Sequence, residues 1–338
     1  MINGAISKFV EGQDLTRAEM ISVMDEIIGG EADNIQTASF LTALEIKGAT
    51  TEEITAGALS MRNHADTIET SADITEIVGT GGDKSNSFNI STTSAFVAAA
   101  AGVKVAKHGN RAASSKSGAA DVLEKLGLNI MLDKDKSLEM LEKYNFCFLF
   151  ALKYHSAMKY VAPVRKMLGI RTIFNILGPL TNPAKASTQV LGVYDKALAK
   201  PMSRVLSNLG VKRGMTVYGM DGLDEISASD STYVCEIREG WFREYEIQPE
   251  DFGYKRCDKA ELIGGTPEEN AEITRNILNG KLRDGKRNAV CLNAGAAIYV
   301  SGRAESLESG IKKAEKIIDD GRAIEKMNEI ITFSKQFA

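Results

Sequence analysis

Glu76-Ile77-Val78-Gly79-Thr80-Gly81-Gly82-Asp83 runs from a short apolar strand into a glycine turn, and a polar run through Phe88 then reaches Asn89-Ile90-Ser91-Thr92-Thr93-Ser94. An Ala-rich helical segment follows and the order repeats. Val103–Ala106 reads as a strand, Lys107-His108-Gly109-Asn110-Arg111 as a basic turn, and Ser114-Ser115-Lys116-Ser117-Gly118 as the start of a second helix. Strand, turn, helix, strand, turn, helix is the pattern of βαβ units in a parallel sheet. It brings two helix N-termini and two loops rich in free N–H groups to one sheet edge. Anions are attracted there, because the first N–H groups of a helix lack partners and its dipole is positive at that end. A charge-assisted hydrogen bond contributes roughly 1.5–3 kcal/mol, so several together hold a phosphorylated small molecule without a large apolar pocket.

Upstream, residues 1 to about 66 read as helices. Ile2, Ala5, Ile6, Phe9 and Val10 keep helical spacing, Thr16-x-x-Glu19 and Thr50-x-x-Glu53 are capping boxes, and Gly29-Gly30 and Gly48 are stops. A compact helical subdomain is expected, with apolar faces that serve either its own core or a subunit contact. Downstream, Asn129–Met131, Phe146–Leu149, Val190–Val193, Met215–Gly219 and Asn288–Leu292 are expected to be further strands. Ala157–Leu180 interrupts them with a helix-like piece, Trp241–Phe252 reads as a strand pair or excursion, and 268–279 and 304–333 read as terminal helices. The fold class expected is α/β: a small all-helical domain (1–70, joined by a helical segment near 157–185) and a large α/β domain (71–338) with a mostly parallel central sheet.

The 338 residues, 43% hydrophobic and 25% charged, are ordinary for a globular chain with ample core. A net charge of −4 argues against a nucleic-acid partner, although Lys104, Lys107, Arg111 and Lys116 make one local basic patch. Cys147, Cys235, Cys257 and Cys291 are far apart, which favours reduced thiols over a disulfide frame or zinc site. Met1-Ile2-Asn3-Gly4-Ala5 lacks the basic-then-apolar pattern of a signal peptide, and the apolar runs Ala95–Val103 and Phe146–Leu152 are too short to span a bilayer. A cytoplasmic protein without a membrane partner is expected.

Gly79-x-Gly81-Gly82-Asp83 is neither a dinucleotide fingerprint, since Lys84 stands where a glycine is needed, nor a Walker A loop. Asn89 to Ser94 holds five hydroxyls or amides in six residues, more than capping needs, which favours ligand contact. Lys107 to Arg111, a basic turn around a glycine, suits two anions, a phosphate and a carboxylate. Asp221-Gly222-Leu223-Asp224-Glu225 follows a strand, and adjacent carboxylates there suit Mg²⁺, which takes a few carboxylates plus phosphate oxygens. No G-x-S-x-G or H-E-x-x-H occurs, and His64, His108 and His155 have no metal-binding spacing. A reaction run by positioning and charge stabilisation is expected, with no catalytic nucleophile.

Taken together, Gly79-Thr80-Gly81-Gly82-Asp83, Asn89-Ile90-Ser91-Thr92, Lys107-His108-Gly109-Asn110-Arg111, Ala162-Pro163-Val164-Arg165, the run from Gly169-Ile170-Arg171-Thr172 to Asn182-Pro183, and Gly222-Leu223-Asp224-Glu225 resemble the anthranilate phosphoribosyltransferase family. The resemblance covers nearly the whole chain in order. It implies transfer of phosphoribose from 5-phosphoribosyl 1-diphosphate (PRPP) to the amine of anthranilate in tryptophan biosynthesis, with Mg²⁺ as cofactor and a homodimer formed through the helical domain. Carried over by position, PRPP would be bound by Gly79, Gly82, Asp83, Ser87, Asn89, Ile90, Ser91, Thr92, Lys107, His108, Gly109, Asn110, Arg111, Ala112, Ala113, Ser114, Ser115 and Ala119. Anthranilate would be held by Gly79, Asn110 and Arg165, and the metal by Ser91, Asp224 and Glu225. Ala119 stands where relatives often have Ser, which removes a hydroxyl contact, and Ser87 replaces a common Thr, which keeps one. A pyrimidine nucleoside phosphorylase, built on the same fold, fits the Lys107–Arg111 run and Arg165 poorly.

Overall fold

The computed structural model describes residues 1–112 and 116–337. Four helices open the chain: α1 (Ile2–Val10), α2 (Arg17–Gly29), α3 (Asn34–Lys47) and α4 (Thr51–Asn63). The capping boxes at Thr16 and Thr50 form as read from the sequence, and Asp33 with Gln36 supplies a third. Gly30 ends α2 in the left-handed conformation, where a side chain would be strained.

The sheet has seven strands: β1 (Thr75–Gly79), β2 (Val105–Gly109), β3 (Phe146–Phe150), β4 (Thr188–Gly192), β5 (Arg213–Gly219), β6 (Thr232–Arg238) and β7 (Trp241–Ile247). Their order is β3-β2-β1-β4-β5-β6-β7, parallel through β5 and antiparallel at the last two pairings. The fold is therefore a small helical region and a large α/β region with a mostly parallel sheet. The chain winds outward one way from β1 to β3 and resumes on the other side at β4, so the strand order reverses at the β1–β4 pair. Crevices at the carboxyl ends of strands beside such a reversal are where open α/β sheets bind ligands.

Two expected strands are absent. Asn288–Leu292 lies inside the helix Gly285–Val300, in which nearly every residue is buried; a short apolar run cannot by itself distinguish a buried strand from a helix buried all round. Asn129–Met131 is a turn, closed by the Asn129 side chain on the Met131 N–H and by Ser334 on the Asn129 N–H. The strand pairing with Trp241–Ile247 lies upstream, at Thr232–Arg238, a segment the sequence reading passed over.

Two cores flank the sheet. Val190 of β4 faces one, built around α5 (Ile90–Ala100) and the Gly285–Val300 helix. Its neighbour Leu191 faces the other, as strand alternation requires. That second core joins α1 to α4, the segment from Val161 to Leu180 and the helix Lys196–Asn208. The N-terminal helices therefore pack over the second face of the sheet, with α4 directly against Lys196–Asn208. Among the described residues no helix is long and apolar enough to cross a membrane.

Candidate active site at the carboxyl edge of the sheet

β1 and β4 both end in glycine, and the reason is the acidic turn that follows β5. This turn folds back across the strand ends so that Asp224 lies on them, and a methyl group built on Gly79 or Gly192 would overlap Asp224. Beyond Gly79 the chain curls tightly, with Gly81, Gly82, Lys84 and Asn86 all at positive φ. Asp224 pins this loop by accepting the Gly81 N–H at 2.7 Å, and Thr80 donates its N–H to the Gly192 carbonyl at 2.9 Å. Asp83 turns its carboxylate inward, toward the Ser85 N–H at 3.3 Å and the Asp224 N–H at 3.5 Å. Ser87 sits in an isolated bridge with Ile263 at the far end of the loop.

Beneath the loop lies a buried cluster of charge. Asp224 and Glu225 are each 7% exposed and Lys107 2%. Glu225 accepts the Ser91 N–H at 3.2 Å at the start of α5, and the Lys107 ammonium donates to the Ile77 carbonyl at 2.8 Å and to the Ser91 hydroxyl at 3.3 Å. Burial pushes the Glu225 carboxyl up to about 7, against the pull of Lys107 and of the Ser91 hydrogen bonds. Asp224 is pushed well above the usual range by burial and then by the Asp83 and Glu225 charges. Burial lowers the Lys107 pKa, while Glu225, Glu76 and Asp224 oppose that shift. Two buried carboxyls that repel one another, with the Ser91 hydroxyl beside them, fit a hard divalent cation such as Mg²⁺. Among the described residues no group of three or more His, Cys, Asp or Glu side chains could hold a metal ion. A metal here would complete its shell from phosphate oxygens.

The remaining predicted residues divide. Ile90 and Thr92 are buried in the first turn of α5. Asn89 spends its side chain inside the protein, donating to the Ser117 carbonyl and accepting from Asn270. Asn270 was not singled out from the sequence, where a lone Asn on the helix Pro267–Leu278 carries no signal. His108 is buried beside His155, ring centroids 5.0 Å apart, and burial drives its pKa down to about 3, so the imidazole is neutral. Gly109 is backed by Ala119 and Phe148, and its absent side chain lets the next turn approach. Asn110 is exposed, and its side chain accepts the Arg111 N–H at 2.8 Å. The Arg111 guanidinium is engaged by Asp121 at 3.0 Å and Glu124 at 2.5 Å, so that arginine points outward into ion pairs. Ala112 N–H and Gly118 N–H both donate to Asp121. Ala113, Ser114 and Ser115 lie outside the described residues.

Helix Ala162–Leu168 carries Arg165. Its guanidinium reaches the Asn175 side-chain oxygen at 3.4 Å and lies over the Phe174 ring at 5.7 Å, and it makes no ion pair among the described residues. Burial lowers its pKa with nothing opposing. A half-buried arginine without a counter-ion beside an aromatic ring is suited to an aromatic carboxylate. Arg171, matched in the sequence but given no role there, donates to the Gly82 carbonyl at 2.6 Å.

The family model described as "Glycosyl transferase family, a/b domain" matches residues 71–324, and "Glycosyl transferase family, helical bundle domain" matches residues 3–65. Anthranilate phosphoribosyltransferase of Methanobrevibacter smithii is 59% identical over 334 residues, covering 99% of each chain. That of Lachnoclostridium phytofermentans is 55% identical, covering 99% of this chain and 100% of its own. Among solved structures, the anthranilate phosphoribosyltransferase of Thermus thermophilus superposes with a TM-score of 0.93 at 41% identity, over 98% of this chain and 99% of that one. The Saccharomyces cerevisiae enzyme in complex with PRPP and Mg superposes with a TM-score of 0.90 at 28% identity, over 99% and 98%. With both its helical bundle and its α/β domain matched, and with identity sustained from end to end, this chain belongs to the anthranilate phosphoribosyltransferase family.

Proposed function

We propose that this chain transfers the 5-phosphoribosyl group of PRPP to the amine of anthranilate, releasing pyrophosphate, in tryptophan biosynthesis. The observation that carries the reading is the buried Asp224–Glu225 pair at the carboxyl ends of β1 and β4, under a glycine loop that is joined through Arg171, Thr172 and Asn175 to Arg165, an arginine with no ion pair among the described residues. Full-length identity of 59% to an anthranilate phosphoribosyltransferase supports it.

In this reading the loop from Gly79 to Ser87 and the first turn of α5 cradle the diphosphate. Asp224, Glu225 and the Ser91 hydroxyl would hold Mg²⁺, which when bound neutralises the departing pyrophosphate. Lys107 adds a second positive charge beneath it. Arg165 and Asn110 grip anthranilate so that its weakly basic amine faces the ribose C1. No residue has to take a proton before bond formation, so the protein works through orientation and charge. The neutral His108 side chain serves packing, and its segment contributes through backbone groups. Arg111 braces the start of the helix that follows through Asp121 and Glu124.

The helical residues 1–70, with the returning segment 157–185, are assigned as one body and 71–338 as the other; the core shared by α1 to α4 with Val161 to Leu180 supports that grouping. A homodimer through the helical body is supported by Val10, Ile35, Ile46 and Met167, all large apolar side chains at least 70% exposed. A biosynthetic role of this kind supports a cytoplasmic location. The decisive experiment mixes the protein with anthranilate, PRPP and Mg²⁺ and follows anthranilate fluorescence: loss that requires all three components is expected, and its absence overturns the assignment.

A further inference from the structure

Arg171 is an exposed arginine that forms no ion pair among the described residues, yet its guanidinium is fixed from two sides. It donates to the Gly82 carbonyl at 2.6 Å and its guanidinium carbon lies over the Tyr194 ring at 3.9 Å. Tyr194 is itself tied to the glycine loop, its N–H donating to the Thr80 hydroxyl at 3.1 Å. The peptide plane is rigid and trans, so the Gly82 carbonyl and the Asp83 N–H point in opposite directions. Holding that carbonyl on Arg171 therefore turns the Asp83 N–H away from Arg171. The orientation of one peptide in the anion loop is thus set by a side chain from a different segment.

That segment leads directly to the other subsite. Thr172, next to Arg171 and 3% exposed, donates its N–H to the Asn175 side-chain oxygen at 3.0 Å. The same oxygen accepts from Arg165 at 3.4 Å. The connection therefore runs from Gly82 to Arg171, along the backbone to Thr172, and through Asn175 to Arg165. Each link is a directional hydrogen bond or a covalent bond, and the two ends are the subsites assigned above to the diphosphate and to the aromatic acid.

We infer that Arg171 is a positioning residue that couples the two subsites, so that diphosphate in the glycine loop sets Arg165 for the aromatic carboxylate. Coupling of this kind is reciprocal: whatever one ligand does to the affinity of the other is returned in equal measure. The inference rests on the proposed function for the identity of the ligands.

The test titrates anthranilate into the whole protein, with and without saturating magnesium pyrophosphate, by fluorescence. In the unaltered protein pyrophosphate is expected to tighten anthranilate binding about 5-fold or more. In R171A that enhancement is expected to vanish, with anthranilate alone bound as tightly as by the unaltered protein. Y194F, which keeps the ring, is expected to retain it. R171K keeps the charge but cannot stack as a plane; it is expected to lose part of the enhancement and decides the question if R171A does not fold. An R171A or R171K protein with undiminished enhancement overturns the inference, as does an unaltered protein with none. Turnover of PRPP and anthranilate by the unaltered protein, measured beside these titrations, separates failure of the coupling from failure of the functional assignment.

Discussion

The Lys107 ammonium donates to the Ile77 carbonyl at 2.8 Å, across a gap where β1 and β2 have ceased to pair. The two strands register at Thr75 and Val105 alone, whereas β1 and β4 stay in register over five residues. Beyond that point side chains stand in for the ladder. Lys107 satisfies Ile77, and Glu76 accepts the His108 N–H at 3.2 Å. The strands can diverge toward their carboxyl ends because these two buried charged groups occupy the places of backbone partners. The same lysine thereby stands under Asp224 and Glu225, where its charge opposes their repulsion.

Lys107→Met should therefore affect fold and function together. It leaves the Ile77 carbonyl unpaired and the buried carboxyls without their cation, an error of about 3 kcal/mol or more. The loss of stability in urea is expected to be larger at pH 8 than at pH 6, because Glu76 and Glu225 titrate near 7 and become neutral below it. An equal loss at both pH values would show that the lysine serves packing alone.

Glu76 makes the pH argument in isolation, since it is not a proposed metal ligand. It is fully buried, and burial raises its pKa from 4.5 to about 7 despite Asn182, Lys107 and the His108 N–H. Between those values the folded protein keeps a proton that the unfolded chain has released, so stability falls as pH rises from about 4.5 and levels off above about 7. Glu76→Gln removes this titration while its amide oxygen can still accept the His108 N–H. Relative to the unaltered protein, the variant should gain stability between pH 5 and about pH 7 and keep that gain to pH 8. Parallel urea midpoints across that range would contradict the buried-carboxyl account.

Asp224→Asn with Glu225→Gln separates folding from function. The acidic pair is under electrostatic strain, so neutral isosteres are expected to leave the melting temperature in Mg²⁺-free buffer unchanged or raised. Turnover should fall by about 10²-fold or more, the usual consequence of removing charge placed for the transition state. The small stabilisation that Mg²⁺ with pyrophosphate gives the unaltered protein should disappear from the thermal melt. Near-normal turnover in the double variant would remove the metal assignment.

Much of this arrangement was legible in the sequence because it depends on local rules. The glycine turn after β1, the overprovided helix start at Asn89 and the acidic turn after β5 all announce themselves by residue type and spacing. Four of the parallel strands end in glycine, at Gly79, Gly109, Gly192 and Gly219, a signal of close approach that was present and not used. What stayed hidden depends on tertiary partners. Nothing local shows that Arg111 is taken by Asp121 and Glu124, that Asn89 is held by Asn270, or that Asn288–Leu292 is helical in a fully buried setting. Glu76 reads as an ordinary strand residue until burial is known.

Arg165 bears on specificity, and its environment dictates the form of the effect. Its guanidinium contacts Asn175 and Phe174 but, among the described residues, no carboxylate, so truncation leaves no buried anion behind and the fold should tolerate it. The charge-assisted bonds it would make to a carboxylate are worth roughly 1.5–3 kcal/mol, which corresponds to about 10- to 100-fold in affinity. They are formed equally in the ground state and the transition state, because the carboxylate is remote from the reacting amine. Arg165→Ala should therefore raise the anthranilate KM by about that factor with little change in kcat, the signature of uniform binding. Arg165→Lys should recover only part of the loss, since a point charge cannot reproduce a two-pronged contact. Steady-state kinetics with each substrate varied in turn check this. A rise confined to the PRPP KM would move Arg165 to the diphosphate side of the crevice and leave the aromatic acid without its assigned anchor.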